Sequence, residues 1–250
     1  MANITAAIPV IRDAVAAILR IHPRRLGSSK KGKHRPDKID AALVGSAFCV
    51  IGDRYLVTAY HVFNNGKPRD PSDKYYIFTV QNNGPLAFHF PVTGFPIEDP
   101  ALDLAVIEIG PCATAGVHIP AIPVTFGNQP DGERVLTVGF PAPEIAALNV
   151  DQQLNYQGGQ FFLKSHANEG IVSAQYDLGG VDFYELNVGW HHGESGGPIV
   201  RLADPLAMFS VMQHYRNIIS PHGGLLPGPH RGHSLKAIES QLRSLGVQVV

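Results

Sequence analysis

Between residues 42 and 215 the sequence breaks into short apolar runs, rich in Val, Ile, Tyr, Phe and Thr, that stop repeatedly at Gly, Pro, Asn or Asp. These strand-like runs fall at 42–50, 55–59, 75–80, 86–93, 103–109, 134–139, 160–165, 170–177, 181–188, 198–202 and 207–215. Parallel strands need a crossover, usually a helix, and no helical pattern of that length lies between the runs. An antiparallel, all-β chain is therefore expected. Only 16% of residues are charged, while 26 Gly and 20 Pro supply the turns that many short strands require. A chain of 250 residues with 44% hydrophobic content can bury one large core or two modest ones. Eleven or so strands suffice for two six-stranded barrels.

The ends read differently. Ile4, Ile8, Ile11, Val15, Ile18 and Leu19 recur at three- and four-residue steps, which predicts an amphipathic helix over residues 3–21. Residues 22–38 read as a linker, leaving a folded domain at 39–250, with lobes at about 39–125 and 126–233. A closing helix is expected over 234–246, where Ser234 caps it, Leu235, Ile238, Leu242 and Leu245 form one face, and Gly246 ends it. Residues 1–38 hold nine Lys or Arg against Asp13 and Asp37, whereas the remainder is acidic. That basic leader is a candidate dock for a regulatory protein partner; the acidic body argues against nucleic acid.

No run approaches the roughly 20 apolar residues of a membrane span. The first twenty residues lack the uninterrupted apolar stretch of a secretory signal, since Pro9, Arg12 and Asp13 divide it. Two cysteines, Cys49 and Cys112, are too few for a disulfide framework. A reducing, cytoplasmic location is the expectation.

Three segments carry chemistry. Gly193-Glu194-Ser195-Gly196-Gly197-Pro198 surrounds a hydroxyl with small neighbours, so a substrate carbonyl can reach Ser195 and backbone N–H groups can turn towards it. Serine needs a base to take its proton, and Leu56-Val57-Thr58-Ala59-Tyr60-His61 places a histidine at the end of an apolar strand. Ala101-Leu102-Asp103-Leu104-Ala105-Val106 sets a carboxylate at a strand start, where burial demands a partner; His61 is the natural one. Asp99, in the turn Glu98-Asp99-Pro100, is the weaker candidate. His191 and His192, and His222, His230 and His233 in the stretch 220–233, lack acid or thiol neighbours at ligand spacing and read as surface-loop histidines. Neither a metal nor an organic cofactor is expected.

In the order His, Asp, Ser, these segments resemble the trypsin-like superfamily with its chymotrypsin-like double β-barrel, and especially its bacterial branch near the HtrA peptidases. Gly45-Ser46-Ala47-Phe48, Val135-Leu136-Thr137-Val138-Gly139-Phe140-Pro141 and Gly170-Ile171-Val172-Ser173-Ala174 are similar to further strands of that branch. The resemblance covers residues 42–245. It implies a serine endopeptidase acting on a protein or peptide: Ser195 as nucleophile, His61 as general base, Asp103 as orienting carboxylate, and the N–H groups of Gly193 and Ser195 as oxyanion hole. The specificity pocket would lie between Gly189 and the strand Val211-Met212-Gln213-His214-Tyr215, with Gln213, His214 and Tyr215 on its wall.

The sequence departs from the digestive branch in two ways. No Ile-Val-Gly-Gly start exists, and Glu194 replaces the aspartate that precedes the nucleophile there. Glu194 either pairs internally or holds the loop inactive until a partner binds. A latent pseudo-protease acting as a binding module, or a protease component of a bacterial defence or signalling system, are the competing readings.

Overall fold

The computed structural model describes residues 3–24, 38–64, 68–177, 179–189, 191–219 and 225–250. Two closed antiparallel barrels make up the body. The first is built from β1 (Val15–Arg24), β2 (Lys38–Ile51), β3 (Tyr55–Ala59), β4 (Lys74–Thr79), β5 (Phe88–Asp99) and β6 (Leu104–Ile109), closed in the order β1-β2-β3-β6-β5-β4. After β7 (Arg134–Gly139), the strands β8 (Glu144–Val150) and β9 (Tyr156–Phe162) pair only with each other. The second barrel is completed by β10 (His166–Asp177), β11 (Asp182–Leu186), β12 (Pro198–Arg201), β13 (Ala207–Ile219) and β14 (Leu225–Ser234), in the order β10-β11-β14-β13-β12-β7.

The N-terminal helix is shorter than its periodicity predicts. Helix α1 spans Ile4–Asp13, capped by the Asn3 side chain accepting from the Thr5 N–H, and Val15 onwards is β1. Residues 14–19 are all fully buried, so both faces of the segment are covered. A strand buried on both faces shows no alternation, and the small Ala16 and Ala17 leave apolar residues at spacings that mimic a helix. β1 also closes the first barrel, pairing Ala17 with Ser46 on one side and Phe78 on the other. The barrel thus begins well before residue 39.

Two further differences lie in the second half. The predicted strand at 160–165 belongs to the separate hairpin β8–β9, which lies against the first barrel, where Phe161 meets Phe78 at 4.6 Å between ring centroids and the Tyr76 hydroxyl accepts from the Tyr156 N–H. The Pro/Gly-rich stretch 220–233 contains β14 from Leu225 onwards, so His230 and His233 lie on a strand rather than in a loop; His222 lies outside the described residues. The close of the chain follows expectation: Ser234 caps a 3₁₀ turn at Leu235–Ile238, helix α2 runs Glu239–Ser244, and Gly246 adopts φ +86°.

Leu136, Val138, Val200, Met208 and Val211 of the second barrel join the same buried cluster as the core of the first. The barrels are therefore welded along β7, β12 and β13. No described helix is long and apolar enough to cross a membrane.

Candidate active site

The β3·β6 pairing brings His61 to Asp103. Its register ends at Ala59 opposite Leu104, and one step further the Tyr60 N–H donates to the Asp103 carbonyl at 3.1 Å. The chain then turns into a single helical turn, His61–Asn64, which points His61 back at the acid. Asp103 Oδ1 accepts from the His61 backbone N–H at 2.7 Å, and Oδ2 lies 2.8 Å from His61 Nδ1. Both carboxylate oxygens are thereby committed to one histidine, which fixes the ring so that Nε2 is its free nitrogen. Asp103 sits at φ +52°, a left-handed conformation that Asp tolerates better than most residues. Asp99 instead caps its own turn, accepting from the Ala101 and Leu102 N–H groups.

Ser195 arrives from the second barrel, on the loop between β11 and β12. Its carbonyl accepts from the Ser46 N–H at 2.7 Å, and the Gly196 N–H donates to the Met212 carbonyl at 2.7 Å, tying the loop to both barrels. Gly196 is obligatory: at φ +84°, a Cβ there would lie 2.1 Å from Thr58 Oγ1 and 2.2 Å from the Ser46 carbonyl. Ser195 is nearly buried, and its hydroxyl donates to the Gln213 carbonyl at 3.0 Å rather than to His61.

The preceding turn is held at three points. The His192 carbonyl accepts from the Ala142 N–H at 2.8 Å. The Gly193 carbonyl accepts from Ser46 Oγ at 2.8 Å, and Ser46 Oγ accepts in turn from the Phe140 N–H at 3.0 Å. Glu194 turns inward, with Oε2 accepting from the His191 N–H at 2.7 Å and Oε1 from Asn168 Nδ2 at 3.2 Å. Burial pushes the Glu194 carboxyl pKa up, and the His191 and Asn168 contacts hold it down against that. Glu194 therefore pairs internally, the first of the two options its sequence position allowed. Because a trans peptide sets N–H opposite C=O, fixing the His192 carbonyl aims the Gly193 N–H away from Ala142. Among the described residues neither the Gly193 nor the Ser195 N–H has a hydrogen-bond partner.

Other expected site residues are placed less favourably. Gly189 is exposed, near Asn168. Gln213 is 1% exposed and faces the interior rather than a cleft, a correction to its expected place on the pocket wall. His214 and Tyr215 pair through their backbones with Arg231 and His230; their side chains lie outside the described residues. Ser46 and Asn168 enter the site without any local sequence signal of that role, because each acts through a tertiary contact.

Cys49 and Cys112 are both unbonded, and burial pushes the Cys49 thiol pKa up to about 12. His22, Asp70 and Asp73 come close enough to share a cation, but Asp73 already accepts from the Tyr75 hydroxyl and lies 2.6 Å from His22 Nδ1.

The family described as the trypsin-like peptidase domain matches residues 45–204, well over half of the chain. The chain belongs to that family. This trypsin-like peptidase is thus a protease, and the serine type follows from the family. It is similar in fold to the HtrA-type protease AlgW solved with a decapeptide, at 20% identity and TM-score 0.61, over 96% of this chain and 66% of AlgW. It is also similar to Deg5, at 15% identity and TM-score 0.56, over 94% of this chain and 91% of Deg5. The peptidase spans about two thirds of AlgW's length. No curated protein matches it.

Proposed function

We propose that the chain is a serine endopeptidase that cleaves protein or peptide substrates through an acyl-enzyme on Ser195. The observation that carries this reading is the double contact of the Asp103 carboxylate with His61, set beside a serine loop whose two candidate oxyanion donors have no hydrogen-bond partner among the described residues. His61 Nε2 takes the Ser195 proton as Oγ attacks the carbonyl carbon; the carbonyl electrons move to oxygen, which the Gly193 and Ser195 N–H groups receive. Collapse expels the amine, protonated by the His61 imidazolium, and leaves the ester. Water then attacks the ester while giving its proton to His61, and Ser195 recovers that proton as the acid departs.

The Ser195 hydroxyl points to the Gln213 carbonyl, so the reaction begins with rotation of the side chain towards His61. A staggered rotamer change of one side chain is a small barrier beside the chemistry. The test is a fluorophosphonate probe, which reacts only with an activated serine. Wild type should label at a single site, Ser195→Ala not at all; labelling that survives the substitution, or an inert wild type, contradicts the proposal.

A further inference from the structure

Gln213 makes contacts that a substrate-lining residue would not. Its side-chain amide reaches from β13 of the second barrel into the first and donates to two main-chain carbonyls, those of Leu102 and Asp103, each at 3.1 Å. Its own carbonyl accepts the Ser195 hydroxyl at 3.0 Å. One residue therefore touches the nucleophile through its backbone and the acid's backbone through its side chain. The side chain is buried, and its Oε1 has no hydrogen-bond partner among the described residues. An unpaired buried amide oxygen carries a desolvation cost that offsets part of what the two donated bonds contribute to stability. The conformation it holds is itself unfavourable: Asp103 lies at φ +52°, and its carbonyl is gripped by both the Tyr60 N–H and the Gln213 amide.

We infer that Gln213 is a positioning residue that sets Asp103, and through it His61, relative to Ser195 across the junction of the two barrels. It acts through main-chain carbonyls, and the Asp103 carboxylate stays free for His61 alone. The inference rests on the proposed serine chemistry for its consequence and on the contacts just described for its geometry.

The test is Gln213→Met, which keeps length and volume but removes both donors and the unpaired acceptor. Thermal stability should fall only modestly, since the Leu102 carbonyl loses its donor while the unpaired oxygen is removed, whereas the second-order rate of fluorophosphonate labelling falls about tenfold or more. If the effect passes through Asp103, the same substitution in an Asp103→Asn background should change the rate less than about twofold, since coupled residues are not additive. Gln213→Asn, which retains the amide but retracts it by one methylene, should fall in the same direction and guards against a Met variant that folds poorly. The downfield Nδ1 proton of His61, assigned by its loss in His61→Ala, should move upfield in Gln213→Met as the hydrogen bond to Asp103 loosens. A wild-type rate and a wild-type His61 Nδ1 proton shift in both variants would overturn the inference, as would equal losses in the two backgrounds. A wild type that never labels would instead sink the serine-hydrolase reading, and the His61 Nδ1 proton shift would still decide whether Gln213 holds the pair.

Discussion

A serine hydroxyl is a weak nucleophile, and what Ser195 can do depends on a histidine held by Asp103. Both Asp103 oxygens are spent on His61, one on the backbone N–H and one on Nδ1. Asp103→Asn puts an amide where one of those acceptors stood and favours the wrong tautomer, so the labelling rate should fall by about 10⁴ with the fold intact. Kinetics and circular dichroism on the same sample check both halves. Glu194 answers to a different force. Its folded pKa is raised by burial, so the folded state holds that proton more tightly than the unfolded chain does. The contribution of this group to stability is full below the ordinary carboxyl range and is lost as pH rises through the raised value. Glu194→Gln cannot ionise and escapes that loss. Melting curves at about pH 4 and about pH 7.5 should show the variant gaining on wild type as pH rises; a gain that shrinks with pH contradicts the assignment.

At the scale of elements, the chemistry-bearing ends of β3, β6 and the β11–β12 loop were legible because each is a local string: an apolar strand ending in His61, an acid before an apolar strand, and glycines around Ser195. β1 was not. Its buried run from Ala14 to Leu19 offers no alternation, and only its two barrel neighbours decide between strand and helix. β14 was hidden by its turn-forming composition, and the β8–β9 hairpin by the assumption that every strand joins a barrel. The Asn168–Glu194 and Gln213–Asp103 contacts span 26 and 110 residues, a range at which no local pattern can speak. The identity of β1 has a measurable consequence. Ile18, fully buried and paired with Gly45 and Ile77, should cost about 2–5 kcal/mol when replaced by Ala. Urea unfolding reads this directly; a loss below about 0.5 kcal/mol would be the signature of an exposed surface position instead.

For the molecule as a whole, the site exists only where two barrels meet. His61 and Asp103 belong to the first, Ser195 and Gln213 to the second, and the Ser46 N–H and hydroxyl stitch the Ser195 loop across the gap. Anything that opens the first barrel should therefore disable the site at a distance. Removing residues 1–24 deletes β1 and leaves β2 and β4 with bare edges, which predicts loss of cooperative unfolding and a tendency to aggregate. A chain lacking residues 1–24 that melts cooperatively and labels with fluorophosphonate would show that β1 is dispensable. The most direct measurement of the central claim is cleavage itself: a denatured protein is incubated with the peptidase, and the products are mapped by mass spectrometry. New internal peptide ends should appear with wild type and be absent with Ser195→Ala at equal concentration. Identical products from both, or none from a wild type that labels at Ser195, would contradict the account.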